Sequence, residues 1–461
     1  MTSTETEVDN PYSGALACTV RHDSAEQIDR ALNRARHARE ALRATPLQAR
    51  IEVLEKSLLW FEQNSQRVSA DITAMMGKPL VQAQGELSTM VARARALIEI
   101  APEALAARHP VVDDDIRRVV TREPLGVVLD LPAWNYPLLT AINVVAGDIL
   151  TGNPVLLKHA PRSPLCGEHF REAFAWAAAA EGMLQVLHCD HASTEKLASD
   201  PRVDHVVFTG SPLGGRRISE AAAGRCLQFS YELGGNDAAY IAEDADLARA
   251  TEGLVDGAIY NAGQSCCAVE RVLVHEKHYG EFLERARPLC AAYVMGDPLA
   301  EETTLGPIAQ PYHPAELKAL VEDAIGRGAR LLSGGACAQA SGHGRFFEAT
   351  LLAEVGPDCR LMREECFGPI LAVRKVRSDE EAVSAVNESP YGLTASIWTA
   401  DRQRAEAVAG QLHCGTVFMN RCDFVDPYQP WVGVKESGSG ASLGIEGLQA
   451  LTRPRSLHLR D

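Results

Sequence analysis

No apolar run in this chain of 461 residues is long enough to cross a membrane, so no membrane partner is expected. The start, MTSTETEVDN, is polar and acidic. It has the layout of neither a secretory signal nor a transit peptide, and the reading is a cytoplasmic protein. Positive charge is scarce: 45 Lys and Arg face 61 Asp and Glu, for a net charge of −16. A nucleic-acid partner would want a basic face, so none is expected. The twelve cysteines include no Cys-x-x-Cys pair and no His/Cys ligand spacing. That argues against a disulfide framework and against a zinc site, and fits reduced thiols with no metal. There is no internal repeat and no low-complexity segment. No Gly-x-Gly-x-x-Gly follows a strand candidate, so the ordinary dinucleotide fingerprint is missing.

What is present is a globular composition, 46% hydrophobic and 23% charged, with length for two or three domains. The first hundred residues read as helices. Ser24 and Gln27 form a capping box ahead of Ile28, Ala31, Leu32, Ala35 and Ala38 at helical spacing. Pro46 opens a second helix carrying Ile51, Leu54, Leu58 and Phe61, and Gly77 with Pro79 ends a third. Residues 111–123 read as a polar hairpin with an acidic tip. Apolar runs at 125–131, 155–157, 184–187 and 206–208 then alternate with helical stretches. Such alternation predicts a doubly wound parallel sheet, which binds ligands at the carboxyl ends of its strands. A second α/β pattern follows Gly235, with strands at 272–274, 370–373 and 417–419 and helices around 278–294, 312–327, 378–388 and 401–411. Residues 451–460 read as an edge strand that makes a small separate sheet with 111–123.

Three stretches carry chemistry: PAWNYP at 132–137, Glu232-Leu233-Gly234-Gly235, and Tyr260-Asn261-Ala262-Gly263-Gln264-Ser265-Cys266-Cys267-Ala268. Read alone, the Cys-Cys pair is open between a nucleophile and a small buried hydrophobe. Thiol, carboxylate and carboxamide together are the parts that covalent acyl chemistry uses. Phe208-Thr209-Gly210-Ser211 ends a strand and leads into a helix from about Leu213. It is open between a plain turn and a helix N-terminus offering N–H groups to phosphate.

In this order, with LLKHAP at 156–161, EECFGP at 364–369 and GVKESGSG at 433–440, these motifs resemble the aldehyde dehydrogenase superfamily over essentially the whole chain. The LLKHAP and GGND stretches look like those of bacterial semialdehyde dehydrogenases. The resemblance implies Cys266 as nucleophile, Glu232 as general base and Asn135 as oxyanion amide. It implies cofactor contacts from Trp134, Lys158, Gly210, Ser211, Leu233, Glu365 and Phe367, and an aldehyde tunnel lined by Tyr136, Asn143, Ser265, Val425 and Trp431. The implied fold is α/β: a doubly wound parallel-sheet NAD(P)-binding domain (1–101 and 125–236), an α/β catalytic domain (237–449) and a small β oligomerisation flap (102–124 and 450–461). A homodimer or homotetramer is expected.

The implied reaction is oxidation of an aldehyde to a carboxylic acid with NAD or NADP, through a cysteine thioester that water hydrolyses. A coenzyme A-acylating relative, a non-enzymatic binding protein on the same fold and a cofactor-free cysteine hydrolase are the competing readings. The presence of both Cys266 and Glu232 argues for the hydrolytic enzyme. Four stretches depart from the family pattern: Lys158-His159-Ala160-Pro161, Gly235-Asn236, Pro430-Trp431-Val432-Gly433 and Gly440-Ala441-Ser442. These are expected to leave nucleophile, base and oxyanion amide alone. Pro161 stands where NAD-preferring relatives carry a carboxylate. With His159 adding partial positive charge and Arg162 free to pair with phosphate, NADP is expected to be accepted, with NAD still usable. The substrate reading leans to a semialdehyde or an aromatic aldehyde over a long aliphatic one. Arg421 is open between meeting a distal carboxylate and a surface salt bridge.

Overall fold

The computed structural model describes residues 4–111 and 115–460. The helical reading of the first hundred residues holds from Ser24 onward. The Ser24 hydroxyl accepts from the Gln27 backbone and the Gln27 side chain accepts from the Ser24 backbone, starting the helix Ala25–Ala44. Ala31, Leu32, Ala35, Ala38 and Leu42 bury one stripe of it. Pro46 stands one place before the helix Leu47–Gln63. The helix Ser65–Met76 stops at Gly77, which has φ +77°, and the helix Leu80–Ala104 follows Pro79.

Ahead of Ser24 the helical reading fails. Glu5–Asp9 and Leu16–Arg21 pair antiparallel as a hairpin. Its turn is made by Asn10, whose side-chain oxygen accepts from the backbone of Tyr12 and Ser13. Side-chain capture of this kind competes with helix.

Two sheets hold the molecule. The first runs in the order Gly438–Ser439, Gln228–Glu232, His205–Thr209, Val128–Leu131, Val155–Leu157, Leu184–Val186. All its neighbours are parallel except the short Gly438–Ser439 strand. The chain leaves Val128–Leu131 toward one edge and returns on the other side of it. That reversal opens a crevice at the carboxyl ends of these strands. The second sheet has seven strands in the order Arg330–Ser333, Thr350–Ala353, Ile370–Val376, Val269–His275, Asp237–Ile241, Thr394–Trp398, Thr416–Met419. Every residue of Val128–Leu131, Val155–Leu157 and Asp237–Ile241 is buried, as expected for parallel strands covered on both faces.

The described residues of the expected 111–123 hairpin lie mostly in a single strand. Ile116–Pro124 is one strand, and its partner is Thr452–Arg460, in antiparallel register from Thr452 opposite Pro124 to Arg460 opposite Ile116. An isolated bridge joins Arg108 to Val120. The expected acidic tip at Asp113 and Asp114 lies outside the described residues. The expected small separate sheet is present as this two-stranded ribbon. Among the described residues no helix is long and apolar enough to cross a membrane.

Candidate active site

The helix Leu247–Ile259 runs into a tight turn at Tyr260–Gly263, with Asn261 and Ala262 both left-handed at φ 54° and 56°. Gly263 is left-handed too, and a Cβ there would collide with the Gly368 carbonyl. Only glycine fits so close an approach. Past the turn, the Gln264 side chain accepts from the Ala309 backbone at 2.9 Å and donates to the Asn261 carbonyl at 3.1 Å. Cys266 then sits half-buried and Cys267 buried, before the strand Val269–His275.

The two adjacent thiols are not equivalent. Cys267 donates to Asp423 Oδ1 at 3.2 Å, and the Ser265 hydroxyl donates to the same oxygen at 3.0 Å. Hydrogen bonding to Cys266, then burial and the Asp423 charge, push the Cys267 thiol well above the ordinary range. Burial pushes Asp423 itself up to about 6. Cys267 is therefore held as a thiol. Asp423 was missed in the sequence; its left-handed backbone, φ 44°, leaves no trace there.

Asn135 is 4% exposed. Its amide donates to the Gln264 carbonyl at 3.1 Å, and Asn261 donates to the carbonyls of both Asn135 and Gln264. The amide is thus tied directly to the loop that carries Cys266. The helix behind it, Pro137–Thr151, begins at Tyr136 without a side-chain cap of its own. Glu86 supplies one from the helix Leu80–Ala104, accepting from Leu138 N at 2.8 Å and Leu139 N at 3.4 Å. Glu86 is also in a fully buried ion pair with Lys78, whose ammonium lies 3.9 Å from the centre of the Tyr136 ring. Removing one partner of such a pair strands a charge in the interior. Lys78→Met is expected to cost about 3–5 kcal/mol of stability, read from the urea midpoint. A loss under about 1 kcal/mol would show that the pair is not what holds this helix start.

Glu232 ends its strand, and its carboxylate accepts from the Ser442 hydroxyl. Burial pushes the carboxyl up to about 7, and Arg93 pulls it back. Ser442 is fixed by an antiparallel bridge to Trp431, with bonds of 2.7 and 3.0 Å. Ser442 and Trp431, two of the departures, leave Glu232 itself unchanged but surround it: Ser442 hydrogen-bonds to it and Trp431 places Ser442.

Asn236, another departure, donates to Glu270 at 2.9 Å. Glu270 in turn accepts from the backbone of Cys366 and Phe367. The loop so anchored turns at Phe367, φ 51°, and sends Glu365 to accept from Gly235 N at 3.0 Å. Burial, with the Glu270 charge, holds the Glu365 carboxyl well above the usual range. The Trp134 ring meets the Phe367 ring edge-on at 5.6 Å. Glu365 is thus brought to the turn that follows Glu232 and Leu233, and Phe367 to Trp134. The Leu233 N–H donates to the Ser437 carbonyl at 3.0 Å.

Farther along the same crevice, Lys158 follows the strand Val155–Leu157. It is 6% exposed, with no ion pair among the described residues. Gly210 packs over the Phe208 ring, and the exposed Ser211 caps the helix Pro212–Ala221 through Gly214 N. The expected help from the residues after Lys158 is corrected. His159 is buried against the Pro137 carbonyl, and burial drives it down to about 3, so it is neutral. Arg162 is buried and already paired with Asp9, which also takes Arg345.

Of the expected tunnel residues, Tyr136 and Val425 are half-buried, and Ser265 is tied to Asp423. Trp431 packs into the core. Asn143 is buried and accepts from Arg93 Nη1 at 3.1 Å. Arg421 is exposed, with its guanidinium over the Phe424 ring at 3.3 Å. The position is at the surface, but the partner is the ring and, among the described residues, no salt bridge is made. Arg93 was missed, although a charge at the spacing of the buried Glu86, Met90 and Leu97 was its signal.

The model of the aldehyde dehydrogenase family matches residues 1–457. An aldehyde dehydrogenase of Paenarthrobacter nicotinovorans is 34% identical over 443 residues, covering 95% of this chain and 96% of that protein. The NAD(P)+ succinate semialdehyde dehydrogenase of Escherichia coli K12 is 34% identical over 439 residues, covering 95% and 94%. A solved succinic semialdehyde dehydrogenase from Streptococcus pyogenes, in complex with NADP+, superposes with a TM-score of 0.94 at 29% identity, covering 99% and 100%.

Proposed function

The chain belongs to the aldehyde dehydrogenase family, and from that premise we propose that Cys266, Asn135 and Glu232 divide the chemistry as nucleophile, oxyanion donor and base. The activity itself is NAD(P)-dependent oxidation of an aldehyde. The residues present suit the cofactor. Lys158 is a buried cation without a carboxylate partner among the described residues, and a helix N-terminus with an exposed Ser211 faces the same crevice. Trp134, Gly210, Leu233, Glu365 and Phe367 complete the proposed contacts. The bound nicotinamide supplies the hydride acceptor.

The Cys266 thiolate bonds to the aldehyde carbon, and the carbonyl electron pair moves onto oxygen. One Asn135 N–H is used by the Gln264 carbonyl; the second remains for the oxyanion, and the Cys266 backbone N–H is the other donor assigned to it. Each such donor is worth about 3 kcal/mol in the transition state. Loss of hydride leaves a Cys266 thioester. Glu232 takes a proton from water, the oxygen attacks the thioester, and the C–S bond breaks to free the acid and the thiolate. The observation that carries this reading is the Asn135–Gln264 hydrogen bond, which fixes the amide to the nucleophile's own loop. A carboxylate poised at about 7 favours water over coenzyme A as acceptor.

The substrate we favour is a semialdehyde or an aromatic aldehyde, in a tunnel that includes Tyr136, Asn143, Ser265 and Val425 with Trp431 behind it. NADP is accepted and NAD remains usable, because Pro161 adds no negative charge beside Lys158. A homodimer or homotetramer joined through the Ile116–Pro124 and Thr452–Arg460 ribbon is proposed, since exposed strand edges are usually paired; light scattering giving a stable monomer rejects it. The function is tested by following reduced cofactor with succinate semialdehyde, benzaldehyde and hexanal, each with NAD and NADP. Turnover with both cofactors and without coenzyme A is expected, with hexanal the poorest substrate. Absence of turnover with every pair, or a requirement for coenzyme A, overturns it.

A further inference from the structure

Arg93 projects from the helix Leu80–Ala104 and is 6% exposed. Among the described residues it forms no ion pair. Its one hydrogen bond runs from Nη1 to the neutral oxygen of Asn143, and its Nε is buried with no partner. A guanidinium has five N–H donors in a planar fork. Removing it from water without a counter-charge is unfavourable unless something else meets it.

The acidic groups whose charges reach Arg93 are Glu232, Cys267, Glu86 and Cys266. None is in direct ion-pair contact with it among the described residues. Glu86 is already paired with Lys78, and Glu232 is hydrogen-bonded by Ser442. The cation is therefore buried within electrostatic reach of the reacting thiol and the base, held at one end by Asn143, with most of its fork unused.

We propose that Arg93, held in place by Asn143, binds a carboxylate at the far end of the aldehyde, so that the preferred substrates are short aldehydes carrying a carboxylate. This rests on the tunnel reading above, in which Asn143 lines the aldehyde's path. A carboxylate meets a guanidinium fork through two parallel hydrogen bonds, which an ester or a methyl group cannot reproduce. Arg421, exposed and stacked on Phe424, takes no part.

The test compares kcat/KM for succinate semialdehyde with that for butanal, which has the same chain length and no carboxylate. In the unaltered enzyme the semialdehyde is favoured. In Arg93→Gln the ratio falls by about a hundredfold, the scale of losing a charged hydrogen-bonded pair, chiefly through a raised KM for the semialdehyde. Arg93→Lys restores part of it. A role confined to tuning Glu232 or holding the fold would depress both substrates equally, leaving the ratio unchanged, and that result overturns the proposal. An unaltered enzyme that prefers butanal overturns it without any variant. Failure to oxidise either aldehyde with either cofactor instead refutes the functional reading beneath it.

Discussion

Cys266→Ala is expected to reduce aldehyde-dependent cofactor reduction by about three orders of magnitude or more, while Cys267→Ala keeps activity within about tenfold. The two positions are adjacent, so the contrast rests on their surroundings. The thiolate is the nucleophile, and a thiol buried beside a carboxylate resists ionising. Cys267 is buried and spends its proton on Asp423. Cys266 is half-buried. The companion measurement is intact mass after brief iodoacetamide treatment, where a single adduct on Cys266 is expected. Comparable inactivation in both folded variants would remove Cys266 from its assigned role.

Glu232→Gln is expected to separate the two halves of the reaction. Thioester formation does not need the base, so rapid mixing should give a burst of reduced cofactor equal to the enzyme concentration. A steady state slowed by about 10²–10⁴-fold follows, the usual worth of a general base. In the unaltered enzyme the sign of the pH dependence comes from burial, which raises the Glu232 carboxyl from its ordinary range to about 7. Below that value the group is protonated and cannot accept a proton from water. Where deacylation limits turnover, the rate therefore climbs through pH 7 and levels above it. No acyl adduct in intact mass during Glu232→Gln turnover, or a pH profile flat from 5 to 8, would dismiss the role.

The parts of the site that were legible lie where chemistry and chain order coincide. Cys266, Asn135 and Glu232 each sit in a short motif whose residue types announce acyl chemistry. The strands Val155–Leu157 and His205–Thr209 were visible because parallel strands covered on both faces need unbroken apolar runs. The N-terminal hairpin was hidden because its strands are short, the first of them is largely polar, and its turn depends on Asn10 side-chain bonds. Asp423, Ser442 and Arg93 were hidden for another reason. Each acts on a partner 156, 210 or 50 residues away, and Arg93 alone carries a local mark, its helical spacing with the buried Glu86, Met90 and Leu97. Charge near Lys158 was misread the same way: residues 159 and 162 look cationic in sequence, but burial neutralises one and Asp9 occupies the other.

Asp9 holds Arg162 on one side and Arg345 on the other, and Arg345 also donates to the Ala309 carbonyl, whose own N–H meets Gln264. This gives the fold an order in time during synthesis. Arg162 follows Asp9 by 153 residues, but Arg345 follows it by 336. A ribosome adding about 5–20 residues per second needs on the order of tens of seconds to cover that longer interval. Throughout it, the emerging chain can form the first pairing and not the second. The loop that carries Cys266 therefore gains its link to the opening hairpin only after most of the polypeptide has been made. A nascent chain halted before Arg345 would hold a half-made clamp and a thiol not yet locked in place.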